Sequence, residues 1–87
     1  MKYPCKLLPG EPGEGGFTVV FPDLPGCITE GDTLEEALQM ARDAMETWLD
    51  GTIEDGEVWP RASRRITAGS GEIVYWFDIE QPQDKAA

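Results

Sequence analysis

The stretch from Phe21 to Ala37, FPDLPGCITEGDTLEEA, limits the possible folds more than any other part of the chain. Phe17, Val19 and Phe21 alternate with Thr18 and Val20, the period-two pattern of a strand, and Pro22 ends it. The Pro25-Gly26 pair then turns the chain, so only a short strand over 27–30 fits before the next element. Thr33 as N-cap with Glu36 three residues on is a capping box, in which hydroxyl and carboxylate satisfy orphan amides reciprocally. Asp32 places further negative charge beside the positive end of the helix dipole. A strand, two turns, a second strand and a capped helix in so few residues leave little topological freedom.

Beyond the cap, Leu34, Ala37, Leu38, Ala41, Ala44, Met45 and Trp48 recur at helical spacing, while Glu35, Gln39, Arg42, Asp43 and Glu46 face the other way. The spacing predicts a helix over 34–50 that Gly51 stops, with Leu34, Leu38, Ala41, Met45 and Trp48 buried on a sheet. Upstream, Tyr3, Cys5 and Leu7 alternate with Lys2, Pro4 and Lys6, predicting a strand over 2–8 in which Pro4 marks an edge or a strand start. A glycine-rich, acidic turn joins it to a strand over 16–22. Downstream, Ile73, Tyr75, Phe77 and Ile79 alternate with Glu72, Val74, Trp76, Asp78 and Glu80. This predicts a strand over 72–80, apolar on one face and partly so on the other through Val74 and Trp76. The order is β-β-β-α-β, an α+β two-layer domain with one helix on one face of a mostly antiparallel sheet. Residues 1–80 form a single domain, since chains this short rarely hold two cores, and residues 81–87 are expected to be a disordered tail.

Charge narrows the range of partners. Thirteen acidic and three basic side chains lie in residues 1–58 and four of each in 59–87, so the net −10 belongs entirely to the first part. Such a surface repels phosphate backbones, so direct DNA binding is not expected. A basic protein partner is the better electrostatic match, though acidity also serves simple solubility. No apolar run approaches the ~18 residues that span a membrane, and no signal peptide is visible, so a cytoplasmic location is expected. Cys5 and Cys27 sit among apolar neighbours, where a free thiol acts as a small hydrophobe. Without export a structural disulfide is not expected, and with no histidine in the chain no zinc set can be completed.

No nucleophilic scheme can be assembled. Ser63 and Ser70 lack a base partner, and the cysteines lack a histidine. Gly13, Gly15 and Gly16 join two strands instead of opening a helix, which argues against a phosphate-cradling loop. Arg61, Arg64 and Arg65, with Trp59 taken as exposed, could touch RNA, a ligand or an acidic partner. With so acidic a body nearby, they are expected instead to pair with carboxylates of this domain or of a neighbouring subunit.

With Met1-Lys2-Tyr3-Pro4 and the Phe17–Phe21 alternation, the Phe21–Ala37 stretch resembles the N-terminal domain of HicB-type antitoxins, strongly over residues 1–50 and loosely over 72–80. The resemblance implies a truncated ribonuclease H-like fold, a homodimer or tetramer, and a non-enzymatic module that neutralises a small basic HicA-like mRNA-cleaving toxin. Many HicB-type antitoxins also carry a C-terminal DNA-binding segment, and nothing past the last predicted strand resembles one. A ribonuclease H-like fold raises the question of a two-magnesium nuclease, with Asp23, Asp32, Glu35, Glu36 and Asp78 as its carboxylates. The first two strands carry no acid, Glu36 serves the cap, and no basic cleft is present to hold a substrate backbone. No catalytic residue, metal or cofactor is therefore expected. The expected partner-binding residues are Asp23, Glu30, Asp32 and Glu35, around the turn and the helix N-terminus. The alternative is an accessory domain binding RNA or a small ligand through Trp59 and Arg61–Arg65.

Overall fold

A computed structural model describes residues 1–81. The tail expected over 81–87 therefore lies, apart from Gln81, outside the described residues. Four strands and one helix follow the predicted order: β1 Lys2–Pro9, β2 Phe17–Val20, β3 Ile28–Gly31, α1 Leu34–Glu54 and β4 Ile73–Asp78. They form one sheet in the order β3-β2-β1-β4, antiparallel throughout. The α+β, β-β-β-α-β architecture read from the sequence is thus the one observed.

β1 is the central strand, with its partners offset along it. β4 pairs with Lys2–Leu7 and β2 with Lys6–Pro9. Pro4 lies where only β4 is paired, near the strand start, so its missing amide proton costs the ladder nothing on the β2 side. Tyr3, Cys5 and Leu7 point to the helix side and are fully buried. They meet Val19, Phe21, Leu24 and Phe77 in one core, with Phe21 and Phe77 rings 6.0 Å apart.

The helix begins where its cap predicts. The Thr33 hydroxyl accepts from the Glu36 amide at 3.1 Å. The Glu36 carboxylate reaches back to the amide of Asp32 at 2.9 Å, one residue before the usual position. Two expectations about α1 need correction. Gly51 does not stop the helix, which runs on to Glu54. The stop comes at Gly56, where φ is +78°. There the Gly56 amide donates to the Ile53 carbonyl and the Glu57 amide to the Thr52 carbonyl, the paired bonds of a Schellman ending.

The buried stripe is also rotated from the predicted one. It runs Ala37, Ala41, Met45, Leu49 and Thr52, while Leu34 is 41% exposed and Leu38, Ala44 and Trp48 are half-buried. The cause is the close approach of helix and sheet at Gly31. A β-carbon there would lie 2.6 Å from the Ala37 Cα and 2.9 Å from the Glu36 carbonyl carbon, so only small side chains fit on the contact line.

α1 packs chiefly over β3 and β2. Arg42 extends from it to within 5.2 Å of the Phe77 ring centre, in cation–π range, and partly covers the β4 side. Ile73 and Tyr75 stay 38% and 43% exposed on that same side, and Trp76 is 36% exposed on the other.

Cys5 and Cys27 are buried and unpaired. Burial pushes the Cys5 thiol up to about 12 and raises that of Cys27. Burial, helped by the charge of Asp23, pushes the Tyr3 phenol up to about 12. Unfolding returns these groups to ordinary values of 9.0 and 10.0. The folded state therefore holds protons that the unfolded state releases. Their contribution to stability is complete below about pH 9 and is lost as pH climbs toward about 12. The thermal midpoint is expected to fall steadily between about pH 9 and 11. A midpoint that rises over that interval would contradict this burial.

Candidate partner-binding surface

The four acidic side chains expected to bind a partner occupy two separate places on the molecule. Glu30, Asp32 and Glu35 come together where β3 ends and α1 begins, and all three are exposed. None makes an ion pair with a described residue, since the pairs seen there are Met1 to Asp78 and Lys6 to Glu72, each at 3.7 Å. The amide ends of α1 and the Asp32–Glu36 bond hold this corner rigid.

Asp23 stands apart from that group. It belongs to the turn before β3, so a four-residue strand, about 10 Å long, separates it from the acids at the helix start. Both its oxygens are engaged by one residue: the Ser63 amide donates to Oδ2 and the Ser63 hydroxyl to Oδ1, each at 2.6 Å. These bonds span 40 positions of sequence, and no local pattern could have revealed them. Asp23 fastens the segment after α1 to the β2–β3 turn, and its role is in the fold.

That segment corrects a further expectation. Trp59 is buried, its Nε1 donating to the Leu49 carbonyl at 3.2 Å. Its ring meets Tyr3 edge-on at 6.3 Å, and the Tyr3 hydroxyl donates to the Pro60 carbonyl at 2.6 Å. A ring so committed cannot stack on a nucleobase, which removes the aromatic half of the RNA-binding alternative. Arg61, Arg64 and Arg65 are exposed and make no ion pair with a described residue, so the pairing expected with the domain's own carboxylates is not found there.

The carboxylates considered for a nuclease site are dispersed. Asp23 holds Ser63, Glu36 holds the Asp32 amide, and Asp78 lies by the N-terminal ammonium. Among the described residues no three histidine, cysteine, aspartate or glutamate side chains gather as a metal ion would require. No helix there is long and apolar enough to cross a membrane.

A second surface feature was not anticipated from the sequence. A groove of about 400 Å³ opens between β3 and α1, lined by Cys27, Ile28, Met40, Asp43, Ala44 and Trp48 among others. Ile28 is 62% and Met40 43% exposed. The Trp48 indole is fixed at its rim by a 3.0 Å bond from Nε1 to the Pro25 carbonyl.

Residues 3–73 match the family model described as HicB_like antitoxin of bacterial toxin-antitoxin system. Antitoxin HicB 1 of Photorhabdus laumondii is 52% identical over 60 residues, which cover 69% of this chain and 37% of that protein. The chain spans less than half the length of the curated HicB antitoxins it matches. Among solved structures, the N-terminal domain of Burkholderia pseudomallei antitoxin HicB superposes with a TM-score of 0.70 at 21% identity, covering 93% of this chain and 100% of that one. A chain of the HicA3 and HicB3 toxin-antitoxin complex superposes with a TM-score of 0.64 at 22% identity, covering 93% of this chain and 100% of that one. At such identities the two structures speak to the fold alone.

Proposed function

We propose, from the premise that this chain belongs to the HicB-like antitoxin family, that it is a non-enzymatic module which binds and neutralises a small basic HicA-like, mRNA-cleaving toxin in the cytoplasm. The observation that carries this reading is the family match, joined by an acidic corner without counter-ions among the described residues. Glu30, Asp32 and Glu35 are the exposed carboxylates available to a cationic partner. A HicB3 chain of similar fold occurs in complex with HicA3, which supports a toxin of that kind as the partner.

The two sheet edges have different local charge. β4 lies in the part of the chain with no net charge and exposes Ile73, Tyr75 and Trp76. That apolar surface is the one we assign to a second copy, giving a homodimer or tetramer. Light scattering at micromolar concentration should return at least a dimer mass.

Steering by exposed charges acts mainly on association rate and is screened by salt, with a Debye length of ~8 Å at physiological ionic strength. Association with a HicA-like toxin should therefore slow about tenfold or more as salt rises from low to several hundred millimolar. Reversal of Glu30 and Glu35 to lysine should slow it further, measured by stopped-flow fluorescence. An association rate indifferent to both would remove the acidic corner from the mechanism. Ribonuclease activity in the purified domain would overturn the non-enzymatic reading itself.

A further inference from the structure

The outer edge of β3 is an open hydrogen-bonding edge, and the groove lies directly beside it. The Phe21 amide donates to the Cys27 carbonyl at 3.2 Å, and the register continues with Val19 opposite Thr29 and Phe17 opposite Gly31. Antiparallel alternation then turns the backbone groups of Thr29 and Gly31 toward β2 and those of Ile28 and Glu30 outward. Among the described residues nothing pairs with that edge, because β3 ends the sheet. An open strand edge with an apolar groove alongside is the arrangement that accepts an extended peptide, main chain to main chain, with alternate side chains entering the groove.

Charge decides between the candidate occupants. The groove carries Asp43 in its wall, and Glu30 stands on the open edge itself. Around them lies the part of the chain that holds the whole net charge of −10. A second copy would bring the same carboxylates into contact with these, at a repulsive cost that worsens as water leaves. A basic strand meets both the edge and the charge. We propose that the β3 edge receives an extended, basic segment of the partner protein as a fifth strand. Side chains of that segment on the helix face enter the groove beside Met40, Ala44 and Trp48 and bring a lysine or arginine to Asp43, while its alternate side chains lie on the other face beside Ile28 and Glu30. This rests on the antitoxin reading and names the surface and the form of the partner within it.

Two arms test the proposal separately from that reading. In the first, amide resonances of the ¹⁵N-labelled protein are followed while a capped peptide of alternating valine and lysine is added. Shifts should concentrate at Ile28, Glu30, Met40 and the Trp48 indole, and should be absent with the valine–glutamate counterpart. Shifts confined to β4, or equal responses to both peptides, would overturn the proposal. In the second arm a purified HicA-like toxin is titrated against wild type, Ile28→Lys and the control Val58→Lys, at an exposed position outside both assigned surfaces, with circular dichroism verifying that each variant is folded. Ile28→Lys should weaken binding at least tenfold while Val58→Lys leaves it unchanged. Ile28→Pro, which deletes only the outward amide of an edge strand, should weaken it as well. Toxin that binds all variants as tightly as wild type would overturn the groove while leaving the antitoxin reading intact. Toxin that binds none, wild type included, while the basic peptide still maps to β3 would overturn the toxin reading while sustaining the groove.

Discussion

Gly31→Ala is expected to cost about 3 kcal/mol or more, over half of what a domain at the low end of the ~5–15 kcal/mol range holds. The added methyl would fall against the Ala37 amide nitrogen, 2.6 Å from the Ala37 Cα and 2.9 Å from the Glu36 carbonyl carbon, and none of these is the end of a flexible side chain. The helix would have to lift from β3. Lifting it would open the contact line that Ala37, Ala41 and Met45 seal, and the Trp48 tether to Pro25 would break with it. A urea titration followed by tryptophan fluorescence gives the midpoint. A midpoint equal to that of the wild type would mean that helix and strand are farther apart than described.

Asp23→Ala is the second large effect, expected at about 2 kcal/mol. Hydrogen bonds to a charged acceptor contribute roughly 1.5–3 kcal/mol each, and the half-exposure of Asp23 reduces the sum of its two. Losing the clamp also frees the segment that carries Trp59 and Pro60, the roof over Tyr3. Ser63→Ala removes only the hydroxyl bond and should cost about 1 kcal/mol. The double variant should cost little more than Asp23→Ala alone, and that shortfall from additivity is the signature of a shared contact. Full additivity would mean that Asp23 stabilises the fold through some other neighbour. Because the residue acts inside the fold, its loss should change the toxin association rate only by the removal of one charge.

What the sequence revealed follows the range of the interactions concerned. The helix start was legible because Thr33 and Glu36 act within four positions of each other. The strands were legible because alternation is local, and their bounds differ from expectation by at most two or three residues. The phase of the buried stripe of α1 is not legible, because Leu34 and Leu38 outweigh Ala37 in hydrophobicity while the strand that decides between them is not part of the helix. At the contact line Gly31 brings the helix so near that alanines are selected, and Leu34 and Leu38 are displaced outward. Gly51 was read as the stop because glycine favours helix ends, yet that glycine keeps an ordinary helical conformation. Gly56 carries the positive φ and the Schellman bonds. Trp59, the Asp23–Ser63 clamp and the β3 groove depend on residues ten or more positions apart, and no spacing rule reaches that far. The carboxylates taken as a single cluster divide for the same reason, since β3 stands between Asp23 and the rest.

The pairing of β4 with β1 also governs how the molecule can assemble in time. β1 leaves the ribosome before β2, β3 and α1, yet its longest ladder, Lys2 to Leu7 against Ile73 to Asp78, cannot form until β4 has emerged. The N-terminal ammonium bonded to the Ile79 carbonyl joins groups 78 positions apart. Contacts of that separation form late, because a long loop must close before they return any energy. The β2–β3–α1 portion, with its cap and its Gly31 contact, can close within a short span of chain. Until β4 emerges, the buried residues of β1 therefore have an unfilled edge beside them. A chain interrupted before residue 73 would carry that edge permanently, exposed to degradation or to pairing with any other extended strand.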